Sequence, residues 1–161
     1  MRCLLLTVFL FGLLSQGIMP VAAAAPPPVI KADKSYYDVN TGLYFLNGNV
    51  YIQIRNQKIT AGQAKASLAV MEIWGAGGIT FTQDDMVLSA DSVHVVSAQN
   101  RAMIEGSVNF CRGDLTITAD RVDLNWEKKI AQFEGNVKLA KGGETLAVPR
   151  LLYNVETNTW Q

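Results

Sequence analysis

Residues 102–111 read Ala102-Met103-Ile104-Glu105-Gly106-Ser107-Val108-Asn109-Phe110-Cys111, and residues 131–140 read Ala131-Gln132-Phe133-Glu134-Gly135-Asn136-Val137-Lys138-Leu139-Ala140. In both stretches apolar side chains and one glycine fall on alternate positions, which is the period of a strand with one buried face. The second stretch is the first displaced from Ala102 to Ala131, and the same offset extends without insertion in both directions. Gly48, Gly77, Gly106 and Gly135 share a column, followed by Val50, Ile79, Val108 and Val137, then by Ile52, Phe81, Phe110 and Leu139. A second block aligns Ile30, Ile59, Leu88, Ile117 and Leu146, then Ala32, Ala61, Ala90, Ala119 and Val148, with Asp33, Gly62, Asp91, Asp120 and Pro149 beside them. A third carries Val93, Val122 and Leu151, then Val95, Leu124 and Tyr153. About four and a half copies fill residues 30–161, so this is a repeat architecture.

Turn signals come twice per copy. One set is at 55–57, 83–85, 112–114 and 141–144, the other at 40–42, 99–101, 127–129 and 156–158. Strands of about 10 to 12 residues between such turns form an antiparallel meander. Each strand has an irregular middle. The first strand of a copy holds the column glycine, and in the second the apolar parity slips by one at Asp91-Ser92 and at Asp120-Arg121, as a bulge or corner requires. A meander creased along that line folds lengthwise with its apolar faces inside. The expected fold is all-β, with roughly nine strands stacked over about 40 Å. A parallel β-helix with one coil per copy is the alternative, opposed by the two hairpin-type turns in each copy.

Residues 1–24 are of another kind. Arg2 precedes the apolar run from Cys3 to Leu14, Ser15-Gln16-Gly17 interrupts it, and a run of alanines precedes Pro26-Pro27-Pro28. This is the layout of a cleaved secretory signal over 1–24, with a Pro-rich spacer at 25–29; an uncleaved membrane anchor is the alternative. Over the whole chain 14 basic residues balance 14 acidic ones, so nothing suggests nucleic acid as a partner. Cys111 is the one cysteine beyond the signal and can form no internal disulfide.

The motifs Gly48-Asn49-Val50, Gly106-Ser107-Val108 and Gly135-Asn136-Val137, each followed after a turn by a block such as Leu88-Ser89-Ala90-Asp91 or Ile117-Thr118-Ala119-Asp120, resemble the OstA-like domain. That domain occurs in periplasmic lipopolysaccharide transport proteins of the LptA type. The resemblance extends from about Ile30 to the last residue. It implies a twisted β-jellyroll that shields the acyl chains of lipopolysaccharide between its sheets. It also implies end-to-end joining, with OstA-like domains of inner- and outer-membrane components or with further copies of itself. Among family members the soluble periplasmic bridge fits best, since the signal looks cleavable and no barrel follows. Gly77-Gly78-Ile79 loosens the first motif, and Gly62 and Pro149 stand where the second has aspartate.

On this resemblance the groove is lined by Val50, Ile52, Ile54, Ile59, Ile79, Phe81, Leu88, Val93, Val95, Ile104, Val108 and Phe110. Ile117, Val122, Leu124, Phe133, Val137 and Leu139 continue the lining. Hydrocarbon would be held there at about 0.8 kcal/mol per buried methylene, without a specific site. The plainer reading is that the same residues fill a dry core in a structural or adhesive envelope protein. Uncapped partial repeats at the two ends place Ile30, Leu151, Tyr153 and Val155 at the expected end-to-end contact, by strand addition, unless the prolines and Trp160-Gln161 blunt those edges.

Catalytic readings are weak. His94 lies on the outward parity as a surface histidine, and Cys111 is an outward thiol without a base nearby. Asp33, Asp91 and Asp120 stand two strands apart, too far to share one cation, and are expected to hydrogen-bond their own backbone at strand corners. Trp74 and Trp126 are expected to be packing or rim residues. No catalytic residue, metal site or cofactor is expected.

Overall fold

The computed structural model describes residues 29–161 apart from Arg55 and Leu68, with the backbone alone at Ile54. The expected signal segment, and the spacer as far as residue 28, lie outside the described residues. The strands are β1 (Val29–Lys31), β2 (Lys34–Asp38), β3 (Leu43–Ile54), β4 (Gln57–Ser67), β5 (Glu72–Gln83) and β6 (Met86–Val96). They continue with β7 (Arg101–Arg112), β8 (Leu115–Asn125), β9 (Ile130–Lys141), β10 (Glu144–Asn154) and β11 (Thr159–Trp160). All belong to one antiparallel sheet in sequence order, with β1 and β2 lying end to end along β3. Antiparallel pairing throughout excludes the parallel β-helix. There are eight long strands and three short ones where roughly nine were expected. The difference lies at the ends, where the partial repeats form short strands and Asp33 breaks the first of them in two.

The crease is where the sequence placed it. Pairing skips between Asn47 and Val50, Ala76 and Ile79, and Glu105 and Val108. On the second strands it skips between Thr60 and Gln63, Ser89 and Ser92, and Thr118 and Arg121. On each first strand the column glycine and the residue after it both adopt left-handed backbone: Gly106 at φ +80° with Ser107 at +49°, and Gly135 at +76° with Asn136 at +49°. Two such residues in succession turn the strand sharply. An aspartate on the preceding strand fills the space above the glycine. A Cβ on Gly106 would lie 2.2 Å from Asp91 Oδ2, and one on Gly135 would lie 2.4 Å from Asp120 Oδ2. Asn49 Nδ2 donates to Asp33 at 2.9 Å, Asn136 Nδ2 to Asp120 at 2.8 Å and Ser107 Oγ to Asp91 at 3.3 Å. The aspartate side chains thus hold the neighbouring strand, and the expectation of bonds to their own backbone is corrected on this point. Gly62 is no defect of the pattern. It faces Gly77, and a Cβ on it would meet Gly77 O at 2.8 Å, so two close backbones replace the carboxylate.

Folding at the crease lays the far end of one long strand over the near end of a later one. A flat strand of about 12 residues would hold its ends roughly 36 Å apart. Yet Arg112, at the end of β7, donates to Val155 O at 2.6 Å in the turn after β10. Phe110, whose cross-strand partners are Leu88 and Ile117, also meets Phe133 and Tyr153, at ring-centroid distances of 5.9 and 5.1 Å. These contacts cross between layers. The turns joining β2 to β3, β4 to β5, β6 to β7, β8 to β9 and β10 to β11 form one rim of a lengthwise groove, and the remaining turns form the other. Outward-facing pairs such as Arg121–Glu134, at 2.8 Å, sit at the surface, where each contributes less than about 1 kcal/mol.

Replacing Gly106 by alanine should therefore cost more than left-handed strain alone, which is about 1–2 kcal/mol. Gly142, at φ +58° with open space around it, supplies the strain-only control. Thermal melting of Gly106→Ala and Gly142→Ala is expected to show the larger loss, by several degrees, at the crease. Adding Asp91→Gly, which puts glycine where Gly62 stands one copy earlier and removes the carboxylate that the new Cβ meets, should recover part of it; equal shifts for both single variants would remove the carboxylate from the account.

Candidate functional site

The inner face is built from rows of residues that pair across neighbouring strands or, at Ala61–Ile79, Ala90–Val108 and Ala119–Val137, stand next to the last pair before the register break. On the first arm, before the crease, one row runs Tyr44, Ala66, Ile73, Val95, Ala102, Leu124, Ala131, Tyr153, and the next runs Leu46, Ala64, Gly75, Val93, Ile104, Val122, Phe133, Leu151. On the second arm the rows are Val50, Ala61, Ile79, Ala90, Val108, Ala119, Val137, Val148 and Ile52, Ile59, Phe81, Leu88, Phe110, Ile117, Leu139, Leu146. Every lining residue read from the sequence lies on these rows, except Ile54, whose side chain is outside the described set. Val95 is only half-buried, and its neighbour Val96 is the more enclosed.

The interior is not uniform along the stack. On the second strands equivalent inner residues are larger toward β10, as in Ala66, Val95, Leu124, Tyr153 and in Ala64, Val93, Val122, Leu151, while on the first strands Tyr44, Ile73, Ala102 and Ala131 become smaller and leave room for them. Toward the β7–β10 end the side chains close on one another. Ile117, Phe133 and Tyr153 have no exposed surface, and Leu88, Ile104, Val108, Phe110, Leu115, Val122, Val137 and Leu139 join them in one cluster. Toward the β3–β5 end the core is smaller: Val50, Ala61 and Ile79 are buried, with Ile52, Ile59 and Leu46 packed partly against them. Inward-row side chains there stay open, Tyr44 at 44% and Ile73 at 38% exposure. Beside them the turns of the first rim carry exposed Val39, Val70 and Met71.

The last position of each first strand decides what happens at the mouth. Arg112 Nη1 reaches across to Val155 O at 2.6 Å and to the Tyr153 hydroxyl at 3.3 Å, while its Nε donates to Asp85 at 3.1 Å. The Tyr153 hydrogen bond, and then Asp85, hold the guanidinium charge above its already high ordinary range, against the opposing effect of burial. Lys141, one copy later, places Nζ 4.9 Å from the centre of the Trp160 ring on the opposite rim. Gln83, one copy earlier, bonds Gln57 on its own rim at 3.2 Å. These rim contacts were not foreseen, because a cation next to a turn reads as solvated unless the strand is known to fold back.

Of the residues expected at the end-to-end contact, Ile30 is 56% exposed on β1 and Val155 lies in the last turn, whereas Leu151 and Tyr153 are core residues at 3% and 0%. β11 folds back on β10, pairing Thr159 with Asn154 and Trp160 with Tyr153, so that part of the edge is covered. No strand among the described residues pairs with the far side of β10 along residues 144–150.

The polar candidates sit elsewhere. His94 is on the outer face as expected but is half-covered. Its ring stacks on Trp74 at 5.0 Å, Nε2 lies 2.9 Å from Glu72 Oε2, and Lys65 Nζ covers the same indole at 4.9 Å. Cys111 is a free thiol near Asn109 and Thr116. Trp126 is a rim residue whose amide donates to Asn100 O. Among the described residues no group of three or more His, Cys, Asp or Glu side chains is placed to hold a metal ion, and no helix is long and apolar enough to cross a membrane.

Comparison with known proteins agrees with this architecture. The fold is similar to that of LptH of Pseudomonas aeruginosa, the LptA-homologous periplasmic component of a lipopolysaccharide transport device. The TM-score is 0.61 at 14% identity, covering 76% of this chain and 94% of that one. No curated protein matches the chain. The model of the OstA-like protein family matches residues 63–159, beginning later than the resemblance read from Ile30 although the same columns and crease extend back through β3. With that match over more than half its length, the chain belongs to the OstA-like family.

Proposed function

We propose that the chain is a periplasmic carrier of lipopolysaccharide, exported with cleavage of the segment 1–24, that shelters lipid acyl chains between the two arms of its creased sheet. The observation that carries this reading is a continuous apolar inner face, in an OstA-like fold, that stays partly exposed toward β3–β5. Hydrocarbon laid there is stabilised at about 0.8 kcal/mol per methylene, so a few partly buried chains suffice for firm holding. The role is carriage without catalysis, and neither metal nor cofactor takes part. The partners are the OstA-like domains of inner- and outer-membrane components, joined end to end by strand addition, with head-to-tail copies of this chain as a second possibility.

The second reading, a structural or adhesive repeat with a dry core, draws support from the β7–β10 section, where Ile117, Phe133 and Tyr153 are wholly enclosed. That packing also changes the choice of variant. Phe110→Ala would open a core cavity at a cost of about 3–5 kcal/mol and would report stability first. Ile73 is already partly exposed, so Ile73→Glu should leave the melting temperature within a few degrees. It is expected to weaken uptake of a dansyl-labelled fatty acid by at least about tenfold, the equivalent of about 1.4 kcal/mol. Wild-type protein that refuses the probe and carries no lipopolysaccharide after gentle extraction would favour the dry-core reading.

End-to-end joining is tested at the part of the β10 edge that β11 leaves free. Deleting residues 151–161 would strip Leu151 and Tyr153 from the core, so charges on exposed edge positions are the cleaner change. Thr145→Lys with Ala147→Lys should reduce the mass measured by light scattering to that of a monomer, with melting unchanged. Persistent oligomers would place the joint elsewhere.

A further inference from the structure

We propose that Arg112 and Lys141 form a latch across the mouth of the groove, dividing it into an open loading section over β3–β5 and a shut section over β6–β11 that hydrocarbon reaches only when the latch releases. The gating role rests on the lipid-carrying function proposed above; the latch itself does not.

Four observations converge on it. The ties run between opposite rims: Arg112 to Val155 O at 2.6 Å and to the Tyr153 hydroxyl at 3.3 Å, and Lys141 to the Trp160 ring at 4.9 Å. They come from one column of the repeat, whose earlier member Gln83 bonds its own rim instead. The first rim changes chemistry along its length. Beside the open section its turn tips expose Val39, Val70 and Met71, across which an acyl chain can slide, whereas beside the shut section they expose Glu127, Lys128, Lys129 and Glu156. Finally, the far ends of the ties are held together, because Tyr153 donates its hydroxyl to Asn158 Oδ1 at 2.8 Å and Trp160 belongs to β11, paired only to the end of β10. Peeling β11 from β10 therefore removes the Trp160 ring from Lys141 and loosens the turn that carries Val155 and Asn158, which gives an arriving end-to-end partner a means of opening the shut section.

A charge-assisted hydrogen bond of this kind biases a two-state opening by roughly tenfold or more. The rim distance can be read without any ligand. In purified protein with Cys3 and Cys111 replaced by serine, spin labels at Asp114→Cys and Glu156→Cys stand on opposite rims. The unmodified latch should give one short, narrow distance. Arg112→Met, which keeps an apolar stem, should add a longer component, and Tyr153→Phe, which keeps the buried ring but removes the hydroxyl, should do so more weakly. Distances unchanged in both variants would overturn the latch. Uptake of the dansyl-labelled fatty acid then tests gating: its capacity should rise about twofold or more in Arg112→Met over wild type, as a second and longer section opens. A latch that opens with no gain in capacity over a wild type that does bind would overturn the gating. Failure of every form to bind the probe would refute gating together with the carrier reading, while the distances still decide the latch.

Discussion

The structure depends on how a strand can be folded back on itself without losing its place in the sheet. Two consecutive left-handed residues do this in each first strand, and the position they vacate is filled from the neighbouring strand by an aspartate or, once, by another glycine backbone. The arrangement is possible only because Gly106 and Gly135 lack a Cβ where the carboxylates of Asp91 and Asp120 sit. Because the donor lies one strand and one turn earlier, every copy fixes the crease of the next. The bend becomes a line along the whole stack, and both the layered core and the rim contacts follow from it.

Given that line, the content of the interior is set by side-chain volume. The inner rows keep the same parity in all copies, yet the residues placed on them change from Ala64 and Ala66 to Leu151 and Tyr153. Where they are large, the arms meet and the aromatic rings of Phe110, Phe133 and Tyr153 close the section. Where the second strands offer only Ala64 and Ala66, the larger Tyr44 and Ile73 of the first strands find little to pack on and stay partly in solvent. Repetition fixes the shape of the groove, and departure from repetition fixes how full it is.

This separates what was readable in the residues from what was not. The period of two, the columns of the repeat and the parity slip at Asp91 and Asp120 are local features, and they yielded the strands, the crease and the inward face. Contacts across the groove have no sequence signature. Arg112 and Lys141 look like solvated cations beside turns, and Leu151 and Tyr153 look like available edge residues, until the folded strand brings a distant turn over them. The partner chosen by Asp91 and Asp120 was missed for a related reason, since a short acidic side chain at a corner bonds locally in most settings. Here the left-handed pair on the next strand presents a closer donor.

A carrier of hydrocarbon faces a difficulty opposite to that of most binding sites, because its ligand must also leave. A uniformly open apolar trough would hold each added methylene at about 0.8 kcal/mol and release long chains slowly. A section that can fill itself changes this balance. In the proposed carrier role, acyl chains leaving the β7–β10 section would let Phe110, Phe133 and Tyr153 close into the packing seen here, and the apolar surface uncovered by departure would be buried again by the protein's own side chains. The hydrophobic stabilisation lost with the ligand is then largely replaced, and the remaining barrier is the breaking and remaking of a few polar ties at the rim. The enclosed core of this section, which taken alone favours a dry structural protein, would in the proposed carrier let the same interior both hold hydrocarbon and give it up.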